Sequence, residues 1–244
     1  MIPGIQVSSF KPILTTPEQV HEAFRRMAQM GCSTVQLQWI DPAVSIEYIS
    51  ASLKEYGIHS VSVQDLYETI RENKDYYIRL NQETGGAWMC ISRIPARFRS
   101  IDGLNAYIAE LREFQKELDA YGQKLCFHPV AADYEPIDGI DPVRYLLENM
   151  PELHLCLDLY HINKRGFSMT QWISEYAARI PMLHFKDEKD GKLVPCGQGN
   201  TNWTGVVYAC AKHGIPYAFV EQETWDKDPF LSLHEAFDWL CAQL

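Results

Sequence analysis

Along this chain, short apolar runs alternate with longer stretches whose apolar positions recur at helical spacing. The runs predict buried strands and the stretches predict amphipathic helices. Gly4 to Ser8 reads as a first strand, and Thr15 to Met30 as a helix with Thr16 as N-cap and Pro17 at its first position. Thr34 to Trp39, Ser45 to Tyr56 and Ile58 to Gln64 follow as strand, helix and strand, with Gly57 closing the helix. A polar helix is predicted over residues 68–83, then a strand from Ala87 to Ser92, a helix from Leu104 to Tyr121 and a fifth strand from Lys124 to His128. The remaining units pair Pro142 to Asn149 with Leu153 to Asp158, Thr170 to Ala178 with Met182 to Phe185, and Asn202 to His213 with Tyr217 to Glu221. A helix from Pro229 to Leu240 closes the series. Strand and helix thus pair eight times with no linker, so residues 1–244 are expected to form a single α/β domain, a closed (β/α)8 TIM barrel. An open doubly wound sheet would need a nucleotide fingerprint, and no GxGxxG follows the first strand.

Alternate residues of a barrel strand face inward. On the early strands one parity is polar: Gln6 and Ser8, Gln36 and Gln38, then Ser60, Ser62 and Gln64. Val35, Leu37, Val61 and Val63 take the other parity and are expected to face the helices. Gln38 and Gln64, nearest the strand ends, are candidates to bind a polyhydroxylated ligand, because an amide offers both a donor and an acceptor to sugar hydroxyls. The plainer reading is a hydrogen-bonded layer inside the barrel, and it fits Gln36 better.

The later strands end in ionisable groups: His128, Asp158, His184 and Glu221. A single strand-end His or Asp is usually a cap or an ion-pair partner. Four at the same end of adjacent strands form instead a candidate metal site for one divalent ion. The mixed N/O set does not select among Zn²⁺, Co²⁺, Fe²⁺, Mg²⁺ and the favoured Mn²⁺. His161, three residues past Asp158, is placed to contact a ligand there. His21, His213 and His234 fall on helices, His154 at the opposite face of the barrel, and His59 has no assigned role.

Composition narrows the partners. No apolar run is long enough to span a bilayer, and MIPGIQVSSF lacks the regions of a signal peptide, so a soluble, cytoplasmic protein is expected. Seven cysteines without a CxxC pair fit a reducing compartment. A net charge of −10 argues against nucleic acid and anionic membranes. A small molecule is the partner class that remains, with homo-oligomerisation left open.

From Phe127 onward the segments FHPVAADYEPIDG, LCLDLYH, RIPMLHFKDE, VPCGQGNTNW and FVEQETWDKDPFLSLHEAFDWL resemble, in order and spacing, the sugar phosphate isomerase/epimerase group of xylose isomerase-like TIM barrels. That superfamily also contains inosose dehydratases and AP endonuclease family 2. The first half matches in rhythm alone, with GCSTVQLQ where such proteins often carry a Gly-aromatic-x-x-Val-Glu-Leu pattern. The resemblance implies a divalent metal on His128, Asp158, His184 and Glu221 and proton abstraction next to the carbonyl of a sugar or sugar phosphate. Glu221 or Glu223 would be the base. Lys186 shares the inward parity of His184 and would contact an oxyanion; an ion pair with Asp187 is the alternative. Gly197 and Gly199, ahead of a helix near Asn202, would offer N–H groups to a phosphate or carboxylate unless they form an ordinary turn. Trp39, Trp88 and Trp203 would stack on a sugar face or pack in the core.

Departures from the pattern bear on the reaction. Val130 stands where a second histidine is usual, Gln36 where Glu is common, and GQG replaces GEG. His128 aligns with a strand-five Glu of many relatives, which removes one of two candidate acid–base groups. Isomerisation or elimination is thereby favoured over two-base epimerisation. A lyase of the inosose-dehydratase or 3-keto-glycoside-cleaving kind is the second hypothesis, and a sugar-binding barrel without turnover the third. A DNA-repair endonuclease fits least, since it would need more metal ligands and a basic face.

Overall fold

In the computed structural model, which describes residues Met1–Leu244, the barrel strands pair in parallel with their neighbours in sequence. β1 (Ile2–Gln6), β2 (Thr34–Leu37), β3 (His59–Leu66), β4 (Trp88–Ser92), β5 (Lys124–His128), β6 (His154–Asp158) and β7 (Met182–Phe185) follow one another around the wall. A short antiparallel hairpin of β8 (Asp187–Lys189) and β9 (Lys192–Val194) intervenes, and β10 (Tyr217–Val220) then closes the ring between β7 and β1. The expected eight-stranded (β/α)8 barrel is the observed architecture. No helix is long and apolar enough to cross a membrane.

Local chemistry sets the helix starts. Thr16 accepts from the Gln19 amide with Pro17 in the first turn, Ser45 caps Ile46–Glu55, Ser100 caps Ile101–Asp119, and Asp141 accepts from Val143 and Arg144. Each such cap stabilises its helix by about 1 kcal/mol. The apolar stripes of these helices meet the outward faces of the strands in one continuous core that includes Val35, Leu37 and Val63. A second, smaller apolar cluster comprises Val61, Cys90, Cys126, Cys156, Met182 and Phe219. Most of its members lie two residues before a strand-end polar group on the same parity, so they plug the barrel below the site. The thiols are all free; these three are small and buried, and Cys90 Sγ lies 3.3 Å from Gln64 Oε1 and Cys156 Sγ 3.3 Å from His184 Nε2.

Three expectations are corrected and one element is added. Ser8 leaves the first strand and enters a 3-10 segment, Val7–Ile13. Val61 joins the interior plug and does not face the helices, because the register slips there: Val35 pairs with Ser60 and Gln36 with Ser62. The extra residue of a bulge reverses local parity. The helix over 68–83 is two helices, Tyr67–Glu72 and Lys74–Thr84, interrupted at Asn73, whose side chain donates to the Thr69 carbonyl in competition with the backbone. The hairpin was missed because its strands are short and polar, although Asp190 and Gly191, both at positive φ, form the left-handed turn that such hairpins favour.

Gly4 lets β1 approach its neighbours. A Cβ there would lie 2.5 Å from Phe219 Cε1 and 2.6 Å from the Thr34 carbonyl oxygen. Gly4→Ala should therefore destabilise the protein by about 1–3 kcal/mol, read from the midpoint of urea unfolding. At the start of β6, burial pushes the His154 imidazole below its usual 6.5. As pH falls through 6.5 the unfolded chain takes up that proton before the folded one, so stability should fall with pH in this range. Urea midpoints at pH 7.5 and 5.5 should converge in His154→Gln relative to wild type.

Candidate functional site

Four barrel strands deliver one side chain each to a single point. His128 closes β5, Asp158 closes β6, His184 lies in β7 and Glu221 follows β10, and all four are buried. One ligand atom from each lies within 4.8 Å of the others. In every case the protein holds one polar atom of the side chain and leaves the second without a hydrogen bond. Ser92 Oγ lies 3.1 Å from His128 Nδ1, leaving Nε2. Asp158 Oδ1 caps the short helix Leu159–Lys164 through the amides of Tyr160 and His161, leaving Oδ2. Ser8 donates to Glu221 Oε1 over 2.8 Å, leaving Oε2. His184 Nε2 lies 2.5 Å from Gln36 Oε1, leaving Nδ1. A proton on His184 Nε2 turns the Nδ1 lone pair toward the cluster, the arrangement that prepares a metal-ligating imidazole.

The amide layer below sets that orientation. Gln6 Nε2 and His184 Nε2 both reach Gln36 Oε1, while Gln36 Nε2 donates to Ser62 Oγ and Gln64 Oε1, and Gln64 Nε2 donates to Gln38 Oε1. Gln36 is accordingly an interior relay and not a ligand contact.

Charge is the next constraint. Lys186, 2% exposed at its side chain, places Nζ 2.9 Å from Glu221 Oε2, 3.4 Å from Asp158 Oδ2 and 3.1 Å from Glu223 Oε2. Burial opposes charge on all of these groups. The Lys186 ammonium nevertheless holds the Asp158 and Glu221 carboxyls well below the usual range, and Asp158 and Glu221 hold Lys186 well above its own. Three carboxylates then face the Lys186 ammonium and the His184 ring, whose pKa is held well above its usual 6.5 against burial by Cys156 and Glu221, while His161 stays neutral because burial pushes its pKa down to about 4. An uncompensated buried charge costs several kcal/mol. A divalent cation on these four converging atoms would balance the carboxylates in place of a proton on His184, so the donor set fits such an ion.

Above the cluster opens a cavity of about 580 Å³. Gln38, Gln64, His128, His161, Glu221 and Glu223 line it, together with Trp39, Ser92, Arg93 and Arg99. Burial, followed by the charge of Glu221, raises the pKa of Glu223. Trp39 and Arg93 sit at φ values of 58° and 66°, conformations that L-residues with bulky side chains rarely adopt.

The xylose isomerase-like TIM barrel family matches residues 18–243. The chain belongs to this family. Among solved structures, a sugar phosphate isomerase/epimerase from Parabacteroides distasonis ATCC 8503 superposes with a TM-score of 0.83 at 16% identity, covering 98% of this chain and 93% of the other. An L-ribulose 3-epimerase gives 0.78 at 15% identity, with 99% and 93% covered. The probable 3-DHS dehydratase AsbF of Bacillus anthracis, involved in petrobactin synthesis, gives 0.78 at 14%, with 99% and 98% covered. At these identities the likeness is one of fold. No curated protein matches the chain.

This xylose isomerase-like barrel brings together His128, Asp158, His184, Glu221, Glu223, Lys186, Gln38, Gln64 and His161, but four expectations about neighbouring residues need correction. Lys186 is committed to three carboxylates and does not face the cavity as an oxyanion contact. Gly197 and Gly199 do donate their amides to a carboxylate, but it is the buried side chain of Asp187, which also accepts from Trp203 Nε1 at 3.0 Å. Trp203 packs against Phe185 and Trp239 below that turn, away from the cavity. Trp88 lies at the far end of the barrel beside Tyr217. Ser92, Arg93 and Arg99 were missed, although the strand-end rule that found His128 applies equally to the end of β4.

Purified protein should take up about one divalent ion per chain, measured by elemental analysis after loading and desalting. Asp158→Ala and His184→Ala should each lose it, since either removes one of four converging atoms; stoichiometric metal in both variants would exclude this site.

Proposed function

We propose that this barrel is a divalent-metal-dependent isomerase or epimerase of a sugar or sugar phosphate that abstracts a proton next to a carbonyl. The observation that carries the reading is the division of labour between Glu221 and Glu223. Glu221 is buried and kept ionised beside Lys186 within the cluster, whereas Glu223, half-buried at the cavity wall, has a raised pKa. A carboxylate of raised pKa at a cavity wall is the better base.

The ion, with Mn²⁺ favoured, would rest on His128, Asp158, His184 and Glu221 and supply Lewis-acid polarisation of the substrate carbonyl. Glu223 takes the proton from the adjacent carbon. Lys186 fixes Glu223 through both carboxylate oxygens, at 3.2 Å and 3.1 Å, and so aims it without leaving the interior. Gln38 and Gln64 meet substrate hydroxyls with their remaining donors and acceptors, and neutral His161 closes the cavity beside Asp158. Seven free cysteines are consistent with work in the cytoplasm.

A second reading has its own support. Of the other carboxylates on the cavity wall, Asp133 is engaged by the amides of Ile94 and Val130, and Glu135 lies 3.6 Å from Arg165. With Glu223 the wall carboxylate held beside the four-residue cluster, proton transfer between neighbouring carbons or β-elimination is served more directly than two-base epimerisation. Folds similar to this one carry both epimerase and dehydratase names.

The test is solvent exchange. Ketoses, aldoses and 3-keto sugars, with and without phosphate, are incubated with metal-loaded enzyme in D₂O and followed by NMR. Isomerisation or epimerisation leaves deuterium at the carbon that lost its proton, and elimination releases a leaving group with formation of an enone. Glu223→Gln should slow exchange by about 10²–10⁴-fold while still binding metal. Full exchange in that variant removes Glu223 as the base. A metal-loaded protein silent across the whole panel is a binding barrel.

A further inference from the structure

Arg93 stands apart from every other arginine in the chain. Of eleven arginines, nine sit at ion-pair distance from a carboxylate, and Arg179 donates to the carbonyls of Leu147, Met150 and Leu153. Arg93 has neither kind of partner. In a chain of net charge −10, this exposed residue lines the cavity above the cluster with its guanidinium free of any carboxylate, and so open to a ligand.

Its backbone points the same way. Four non-glycine residues have positive φ, and two of them, Asp138 and Asp190, belong to Asp-Gly turns in which that conformation is ordinary. The other two are Trp39 and Arg93, at the ends of β2 and β4, and both line the cavity. Strain held at such positions belongs with function. The Arg93 amide donates to the His128 carbonyl at 3.2 Å, and the preceding Ser92 braces the His128 ring. The guanidinium therefore projects from a point fixed relative to the reaction centre. The cavity's other cation is already engaged, since Arg99 donates to the Ala132 carbonyl and lies 3.5 Å from Asp133.

We propose that Arg93 recognises an acidic group, phosphate or carboxylate, on the substrate, so that the enzyme acts on an anionic sugar held in one direction. Glu221 and Glu223 repel that group from the β10 side of the cavity, and Arg93 receives it on the β4 side through a planar fork that matches either anion. The sugar part of this inference rests on the proposed function; the anion part does not.

The test is binding to the full-length, metal-loaded protein by calorimetry, with D-fructose, D-fructose 6-phosphate, D-fructuronate and inorganic phosphate as probes. Wild type should bind an anionic sugar about tenfold or more tightly than D-fructose, a margin that shrinks with added salt. The phosphate and carboxylate arms identify which anion is preferred. Arg93→Gln should erase the margin and weaken inorganic phosphate without changing the melting temperature, and Arg93→Lys should keep part of it. Equal affinities in wild type, no binding of any anionic probe, or an unchanged margin in Arg93→Gln overturns the proposal. Binding is read without turnover, so an intact margin in a protein that shows no proton exchange would leave Arg93 in place and remove only the proposed chemistry.

Discussion

Negative charge held out of water at one end of a barrel is the condition to which the rest of this structure answers. Asp158 and Glu221 are buried around one ammonium, that of Lys186, with Glu223 at its outer side, and His128 Nε2 and His184 Nδ1 face the same centre with no hydrogen bond of their own. Burying such groups without partners costs far more than any single helix cap returns. The fold tolerates them because each side chain is gripped at its other end. Ser8, Ser92, Gln36 and the first turn after β6 each hold one atom and so fix the direction of the next.

The barrel interior is divided to serve this arrangement. Strands β1 to β3 supply amides and hydroxyls that form a chain from Gln6 through Gln36 and Gln64 to Gln38, which His184 joins at Gln36. Beneath the centre, on β4 to β6, Cys90, Cys126 and Cys156 offer small bulk, and the Cys90 and Cys156 thiols touch the network at Gln64 Oε1 and His184 Nε2. A polar network of this kind is stable only if its members are satisfied, and Gln36 is engaged at both its oxygen and its nitrogen. The bulge at Val61 belongs to the same division: the slip leaves Ser62 within reach of Gln36 and turns Val61 into the plug.

Much of this was legible in the sequence because it is local. β5 and β7 fall where the sequence placed them, since Lys124–His128 and Met182–Phe185 are apolar runs bounded by polar or turn residues. His128, Asp158, His184 and Glu221 were visible because each terminates such a run. What escaped depends on distant partners. Asp187 looks like half of an ion pair with Lys186 until the chain returns ten to sixteen residues later with Gly197, Gly199 and Trp203. Arg93 reads as one surface arginine among several until the pairing of all the others is known. Val61 follows the alternation of its neighbours in sequence and departs from it in space, because a bulge is a relation between two strands.

The turn around Asp187 has a wider consequence. Successive amides of a glycine-rich loop converge there on an anion, as they do where loops cradle phosphates, and an added Cβ at Gly199 would collide with Asp187. Here the anion is part of the chain. An internal carboxylate is present at an effective concentration that a dissolved phosphate does not match, and it never dissociates. The loop after β7 is thus closed before any substrate arrives, and its order carries no information about occupancy.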